Sequence, residues 1–255
     1  MYHHLRFFLL GMLFVFGMAR LVLTQDNVEK RSPSQYFRSL AMQAKANGKS
    51  KLKLPGPQIT GISAENLQQA IDNYRLITVR PTAIQTVSDT SDLYTWYKCK
   101  TLSVLWTPVR PQGKAHSLDQ IPPELQPSSL LPLAQNEVLL IRRGGIITVE
   151  GVILEISNGA EMSLDKEYLL FAALASDGKV VAVPLGRAGI FSLSKDGLLM
   201  PSVPEEEEDT LVREVKEQGS LNALRSRAIN RQSIRISVPT PSSRSASLSL
   251  PIVAP

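Results

Sequence analysis

The chain has 255 residues, 43% of them hydrophobic, a formal net charge of +5 and one cysteine, Cys99. The apolar fraction is enough for a sizeable core, which excludes a wholly disordered chain. A single cysteine excludes an internal disulfide and cannot build a structural zinc site, so packing must hold the fold together.

Residues 1–23 have the pattern of a membrane-targeting segment. A short basic start precedes an unbroken apolar run, Phe7 to Ala19, which matches the apolar region of a secretory signal and is shorter than the roughly 20 residues that span a bilayer. Small residues at its end favour cleavage after Ala19, which predicts a secreted or periplasmic protein. The alternative is a retained anchor facing outside the cytoplasm, because Arg20 could snorkel while residues 7–23 associate with the membrane.

Residues 20–58 predict a helical segment and a basic linker. Ser32-Pro33-Ser34-Gln35 is typical of a helix start, with Ser32 as the N-cap and proline at the first helical position. Helical spacing then continues towards Gly48, a natural stop. Residues 45–58 are basic and proline-containing, and we interpret them as a linker.

Residues 59–204 predict a β-barrel domain that begins with one short helix, Ala64 to Tyr74, capped by Ser63. From Arg75 the pattern changes to strands. Residues 75–87 and 93–106 are long extended segments separated by a polar turn. The second would outrun a small domain if it were straight, so we expect it to bend, as strands in barrels do.

A long proline-rich loop, residues 107–136, separates these strands from a series of short ones. Loops of this length in a compact domain are usually functional or disordered. After the loop, short apolar runs alternate with Xaa-Gly turns, the strongest local signal for meandering antiparallel strands. The runs are 137–142, 146–149, 152–156, 168–174, 179–184, 190–194 and 198–200. Eight or nine strands predict an all-β core: an OB-like antiparallel barrel or a small sandwich.

The C-terminal part returns to helix and then to low complexity. Residues 205–230 predict a helix with acidic residues at its start, where the macrodipole favours them. Residues 231–255 are rich in serine and proline, and predict a disordered tail. The basic charge lies in the two flanks, whereas residues 54–204 hold twelve basic and fourteen acidic groups. A slightly acidic core argues against nucleic acid as a partner.

Few residues could carry catalysis. His116 is the one histidine beyond the targeting segment, and it lies in the proline-rich loop. A nucleophilic triad would need the imidazole of this histidine to be held in a defined orientation, and no two histidines have metal-ligand spacing.

The pairs Glu150 with Glu155 and Glu161 with Asp165 are compatible with acid–base chemistry, but solvated strand ends explain them equally well. Gly144-Gly145 and the Gly186–Gly189 segment lack the pattern of a phosphate loop and predict tight turns. No cofactor, metal or catalytic residue is therefore expected.

Four aromatic residues cluster in one predicted strand. Tyr94, Trp96 and Trp106 share strand parity, whereas Tyr97 points the other way together with Cys99. An aromatic face on a barrel can stack on sugars or single strands. We favour the alternative, that these side chains belong to the core and that Cys99 is a buried thiol, because aromatics dominate core packing.

The sequence from Glu167 to Phe171, with Gly186, Gly189–Leu193 and Asp196-Gly197 after it, resembles a group of uncharacterised secreted bacterial proteins. That resemblance covers roughly residues 75–200. It implies an OB-like barrel distantly similar to netrin-like modules, and no activity. Lys166 stands where that pattern usually has glycine. The N-terminal cysteine of netrin-like protease inhibitors is also missing, so their activity does not carry over.

Three functions from different classes remain. The first is an exported, non-enzymatic β-barrel module that binds an unknown protein or small ligand. The second is a membrane-anchored component of an envelope assembly. The third is a hydrolase that uses carboxylates. The sequence identifies no binding residues.

Overall fold

The computed structural model of the chain describes residues 34–56, 64–157, 162–203, 205 and 208–237. The predicted targeting segment, residues 1–23, lies outside these ranges. Within them, no helix combines the length and the apolar character needed to cross a membrane.

The described ranges contain four helices and ten strands. The helices are α1 (Gln35–Ala46), α2 (Leu67–Asn73), α3 (Thr210–Gln218) and α4 (Leu221–Ser237). The strands are β1 (Lys51–Pro55), β2 (Arg75–Ser88), β3 (Leu93–Trp106), β4 (Glu137–Arg143), β5 (Gly145–Val149), β6 (Val152–Ser157), β7 (Tyr168–Leu174), β8 (Val180–Ala182), β9 (Ile190–Leu193) and β10 (Leu199–Pro201). The strand positions predicted from Arg75 onward are confirmed, with ends that differ by one or two residues.

Five strands close into a barrel. Their order is β2-β3-β4-β8-β7, and β7 pairs with both β8 and β2, which completes the ring. Every pair in the ring is antiparallel except β4 with β8, which is parallel. The expectation of an antiparallel barrel is therefore wrong at this one pair, and the sandwich alternative is wrong. The reason is geometric, because an odd number of strands cannot alternate in direction all the way round a closed ring.

The barrel interior is filled by the inward side chains of its strands. Tyr97, Cys99, Leu140, Leu170 and Val181 are buried there, from four of the five strands. The register between β2 and β3 shifts at three places. Bulges of this kind bend a strand and increase its twist, which agrees with the bend expected for the long third strand.

A second, smaller sheet has the order β1-β6-β5 and is covered by α1. The strand β1 pairs parallel with β6, so residues 51–55 are not the linker that the sequence predicted. The alternation of lysine and leucine in β1 explains the strand, since it places Leu52 and Leu54 on the face that α1 covers. Helix α1 begins after Ser34, whose side chain accepts a hydrogen bond from the Phe37 N–H, and not after the predicted cap Ser32, which lies outside the described residues.

Helices α2, α3 and α4 pack together against the outside of β2, β7 and β9. Asn66, not the predicted Ser63, caps α2 by accepting from the Gln69 N–H. A second hydrogen bond holds the start of α2: the Leu67 N–H donates to the Glu214 carboxylate of α3 at 3.0 Å.

The predicted C-terminal helix is two helices that meet at Gly219, where φ is +70°. Helix α4 continues to Ser237, so the prediction of a disordered tail is wrong for residues 231–237; residues 238–255 lie outside the described ranges.

Candidate functional site

The proline-rich loop, residues 107–136, lies along the outer surface of the barrel, and we call it the strap. Alternate residues of the barrel strands point outward. Trp96, Leu139 and Val180 are buried on that side, against Ala115 and Leu130 of the strap. Three short 3-10 turns shape the strap, at Leu118–Gln120, Pro123–Leu125 and Ser128–Leu130. The strap is therefore an ordered layer of the structure that covers the outer face of β3 and β4.

Two side chains of the barrel fix the middle of the strap by hydrogen bonds. The indole Nε1 of Trp96 donates to the Leu125 carbonyl oxygen at 2.8 Å. The buried Gln85 side chain accepts from the backbone N–H of Ser129 at 3.2 Å and from its hydroxyl at 2.5 Å. A buried polar group without a hydrogen-bond partner lowers the stability of the fold. The Trp96 indole and the Gln85 side chain therefore favour the strap conformation that supplies their partners.

The end of the strap is held by a charged group at the start of β4. The Glu137 carboxylate accepts from the backbone N–H of Ala134 at 2.8 Å and lies 3.1 Å from the Lys98 ammonium. The hydrogen bond from Ala134, together with Lys98, lowers the pKa of Glu137 below its usual value. Lys98 also donates to the Pro132 carbonyl oxygen. These contacts have a structural explanation and do not indicate a catalytic acid.

Beside the strap, an open cleft of about 490 Å³ separates its first 3-10 turn from the turn between β7 and β8. It is lined by Ser117, Leu118, Asp119, Ser176, Asp177 and Lys179. The lining therefore offers two hydroxyl groups, two carboxylates, one ammonium and one apolar side chain.

Hairpin geometry positions the β7–β8 side of the cleft. Gly178 adopts a φ of +68°, and its N–H donates to the Ala175 carbonyl oxygen. The Asp177 carboxylate accepts from the Lys179 N–H at 2.9 Å. On the strap side, the Ser117 N–H donates to the Gln120 side chain at 3.1 Å. Local hydrogen bonds thus hold the backbone of both walls.

The aromatic residues of β3 belong to the core, as predicted from the sequence. Trp96, Tyr97 and Trp106 are buried, and the Trp106 indole donates to the Ile71 carbonyl oxygen at 2.8 Å. Tyr94 and Trp96 contribute to the cluster beneath the strap, whereas Trp106 packs among the helices further along the strand. These aromatic side chains do not form a stacking platform.

Cys99 is a buried thiol, also as predicted. Its side chain lies in the barrel interior, and burial raises its pKa to about 12. Such a thiol is almost wholly protonated at neutral pH and is a poor nucleophile.

The other residues weighed in the sequence form no common site in the part of the chain that the structure describes. His116 is exposed on the strap, next to the cleft-lining Ser117. Glu155 forms ion pairs with Lys51 at 2.6 Å and Lys53 at 3.7 Å, whereas Glu150 lies in the β5–β6 turn. Glu161 lies outside the described residues. Gly144 joins β4 to β5, Gly145 is the first residue of β5, and Gly186–Gly189 forms a short 3-10 helix. The described ranges hold no group of three histidine, cysteine or acidic residues placed to bind a metal.

Comparison with protein-family models, with curated proteins and with solved structures finds no match to this chain.

The cleft residues were not identified from the sequence. Two signals were available: the length of the proline-rich loop and the Asp177-Gly178 turn. Neither signal states which turn the loop packs against, because that contact joins segments about sixty residues apart. The cleft is a product of tertiary packing.

Proposed function

We propose that this chain is an exported, non-enzymatic module with an OB-like barrel that binds a protein or a small ligand outside the cytoplasm. The strand order β2-β3-β4-β8-β7, closed by one parallel pair, supports the OB-like assignment. Barrels of that type bind ligands on the face of their second and third strands, between the loops that join strands one and two and strands four and five. The corresponding face here is formed by β3 and β4.

The observation that carries the proposal is the position of the cleft. The strap covers the outer face of β3 and β4, so a ligand cannot lie flat across it. The cleft opens at the edge of the strap beside the β7–β8 turn, which corresponds to the loop between the fourth and fifth strands. The strap therefore covers most of this face and leaves a cleft with polar walls at its edge.

The chemistry of the cleft favours a ligand with hydrogen-bond donors. The carboxylates of Asp119 and Asp177 accept hydrogen bonds, and Lys179 supplies one charged donor. The lining thus has more negative than positive charge, which disfavours a phosphate backbone. A hydroxyl-rich ligand, or an exposed lysine or arginine of a partner protein, fits this lining better.

A membrane-anchored envelope component is the second candidate, favoured by the way the N-terminal flank folds. Helix α1 and strand β1 pack onto β5 and β6, which places the N-terminal flank against the body of the protein. If residues 7–23 remained as an anchor, residues 24–33 would span at most about 36 Å. The barrel would then work close to the membrane surface. A carboxylate-dependent hydrolase is third, and no contact in the cleft favours it.

Quantitative affinity capture from envelope and culture fluid tests the proposal. The exported chain is the bait, compared with Asp119→Ala, Lys179→Ala and, as a control, Lys195→Ala at the exposed β9–β10 turn. We expect one set of molecules to be retained by the wild type and the control and to fall at least about 10-fold with each cleft variant. Equal retention by all four would contradict binding through the cleft. The intact mass of the bait separates the cleaved form from the anchored form.

A further inference from the structure

Helix α1 and strand β1 carry a concentration of positive charge. Residues 34–56 hold five basic residues and no acidic one. The two in β1 form ion pairs with Glu155. The other three, Arg38, Lys45 and Lys49, are exposed and have no carboxylate within ion-pairing distance among the residues that the structure describes. Their charge is therefore open to an external anion.

Two of these cations share one side of α1 with an exposed apolar side chain. Arg38, Met42 and Lys45 are four and three residues apart, a spacing that places them together on a helix. We call these three residues the basic face. Met42 is 65% exposed at its centre. The buried residues of α1 point instead towards the small sheet.

The helix itself explains only part of this charge. Lys45 lies in the last turn of α1, where the macrodipole favours a cation. Arg38 lies in the first turn, where the macrodipole disfavours one, and no acidic residue offsets it there. Local helix stability therefore accounts for Lys45 and not for Arg38, whereas an anionic surface outside the protein accounts for both.

The basic face also has a fixed orientation relative to the barrel. The Ser34 hydroxyl donates to the Thr90 carbonyl oxygen at 2.8 Å, which joins the start of α1 to the turn between β2 and β3. The other side of α1 is packed on the small sheet. Whatever binds the basic face is thus held in one orientation against the rest of the molecule.

We propose that the basic face docks on an anionic phospholipid surface, with Arg38 and Lys45 beside lipid phosphates and Met42 among the headgroups. Each basic side chain close to such a surface strengthens binding by about 5-fold. The exposed methionine between the cations favours a membrane over an acidic polymer, because the boundary between headgroups and acyl chains also accepts apolar side chains. This contact is separate from the cleft and does not depend on it.

The predicted apolar segment, residues 7–23, lies close to the basic face along the chain. Residues 24–33 would span at most about 36 Å. If the segment remains in the membrane, it holds the basic face near the surface at a high effective concentration, so a weak contact is enough to orient the barrel. If it is cleaved, the same contact gives weak, reversible binding.

Dye fluorescence at position 42 tests the docking directly. The exported Met42→Cys variant, with Cys99→Ser, is labelled with an environment-sensitive dye. Ile84→Cys in the same background, exposed on β2, is the matched control. Vesicles contain either phosphatidylcholine alone or phosphatidylcholine with one third phosphatidylglycerol. We expect a blue shift only at position 42 and only with the anionic vesicles. A chain that keeps residues 7–23 is reconstituted into both kinds of vesicle and compared in the same way.

Charge reversal tests which cations are used. Arg38→Glu with Lys45→Glu should weaken binding to the anionic vesicles at least about 20-fold at low salt. Lys166→Glu with Lys195→Glu makes the same change in net charge at exposed positions elsewhere, and should leave binding within about 2-fold of wild type. For a reconstituted chain, the size of the blue shift at position 42 replaces the affinity.

Three results would overturn the proposal. The first is an equal shift, or none, at positions 42 and 84. The second is an equal loss for the two charge-reversal pairs, which would mean that net charge alone governs binding. The third is binding to soluble heparin as tight as to the anionic vesicles, without a shift at position 42, which would assign the basic face to an acidic polymer.

Discussion

The Trp96 indole N–H donates a 2.8 Å hydrogen bond to the Leu125 carbonyl oxygen and thereby joins the middle of the strap to the third strand. This bond connects two segments that are both needed to form the cleft. One is the strand whose outer face would otherwise be open, and the other is the loop that closes it.

Trp96→Phe is expected to loosen the strap while keeping an aromatic ring in the core. The Leu125 carbonyl oxygen loses its donor, and some volume is lost beneath the strap. We expect the free energy of unfolding to fall by about 1–3 kcal/mol, measured by urea denaturation. Hydrogen exchange should accelerate in residues 118–130.

Trp106→Phe is the matched control for that prediction. Its indole donates to the Ile71 carbonyl oxygen, in the cluster formed by the helices. A similar loss of stability is expected, but with faster exchange in α2 and unchanged exchange in the strap. If both variants affect the strap equally, Trp96 has no specific role in holding it.

The Cys99 thiol should be unreactive in the folded protein. Burial raises its pKa to about 12, so its thiolate fraction at pH 8 is about 10³-fold lower than that of an exposed thiol with a pKa near 8.5. Alkylation at pH 8 should be slow until denaturant is added. The double variant Cys99→Ser with Ile84→Cys should react rapidly at its exposed thiol. Rapid alkylation of native Cys99 would contradict its place in the barrel interior.

Glu155 should contribute a small, pH-dependent stabilisation to the three-stranded sheet. The hydrogen bond and charge of Lys51, with Lys53 beyond it, lower the pKa of Glu155. A lowered folded-state pKa gives stability that is present above the unfolded value, about 4.3, and is lost as pH falls through the folded value. Glu155→Gln should therefore cost less than about 1 kcal/mol at pH 7, because the lysines are largely exposed.

Denaturation of Glu155→Gln at pH 7 and at pH 3 checks the sign of this effect. The difference from wild type should shrink at the lower pH. Glu150→Gln, in the neighbouring turn, serves as control. A difference that grows on acidification would show that the ion pairs do not stabilise the fold.

Gly145→Ala should destabilise the junction between the barrel and the smaller sheet. Its φ is +149°, and an added Cβ would collide with the Thr95 hydroxyl and lie 2.9 Å from the Thr86 methyl group. Thr95 cannot move freely, because its hydroxyl donates to the Gly144 carbonyl oxygen. We expect a loss of about 1–3 kcal/mol beyond that of Gly151→Ala, which also has positive φ but open space around it. Equal thermal melting of the two variants would contradict this packing.

The positions of the strands along the chain could be predicted well from the sequence, whereas their pairing partners in the sheets could not. Xaa-Gly turns and apolar runs locate β4 to β10, because those signals are local. The parallel pairing of β4 with β8 has no local signal and follows from closing five strands into a ring. Strand β1 does have a local signal, the Lys-Leu-Lys-Leu alternation from Lys51 to Leu54. The prolines that follow it nevertheless led to the prediction of a linker.

The cleft was beyond prediction for a different reason. Asp119 lies in a loop and Asp177 in a hairpin turn, and each is an ordinary residue for its local structure. The two become neighbours only because the strap folds back over Trp96 and Gln85. Side-chain patterns identify buried faces, but they do not specify which loop covers a given face.

Site-specific photo-cross-linking in cells tests most directly the claim that this module binds its partner through the cleft. A photoreactive phenylalanine analogue is placed at Ser176, in the cleft, and at Lys195, outside it. We expect a discrete adduct outside the cytoplasm from position 176, lost on Asp119→Ala, and no such adduct from position 195. Adducts of equal yield from both positions, or an adduct at 176 that is unchanged by Asp119→Ala, would contradict it.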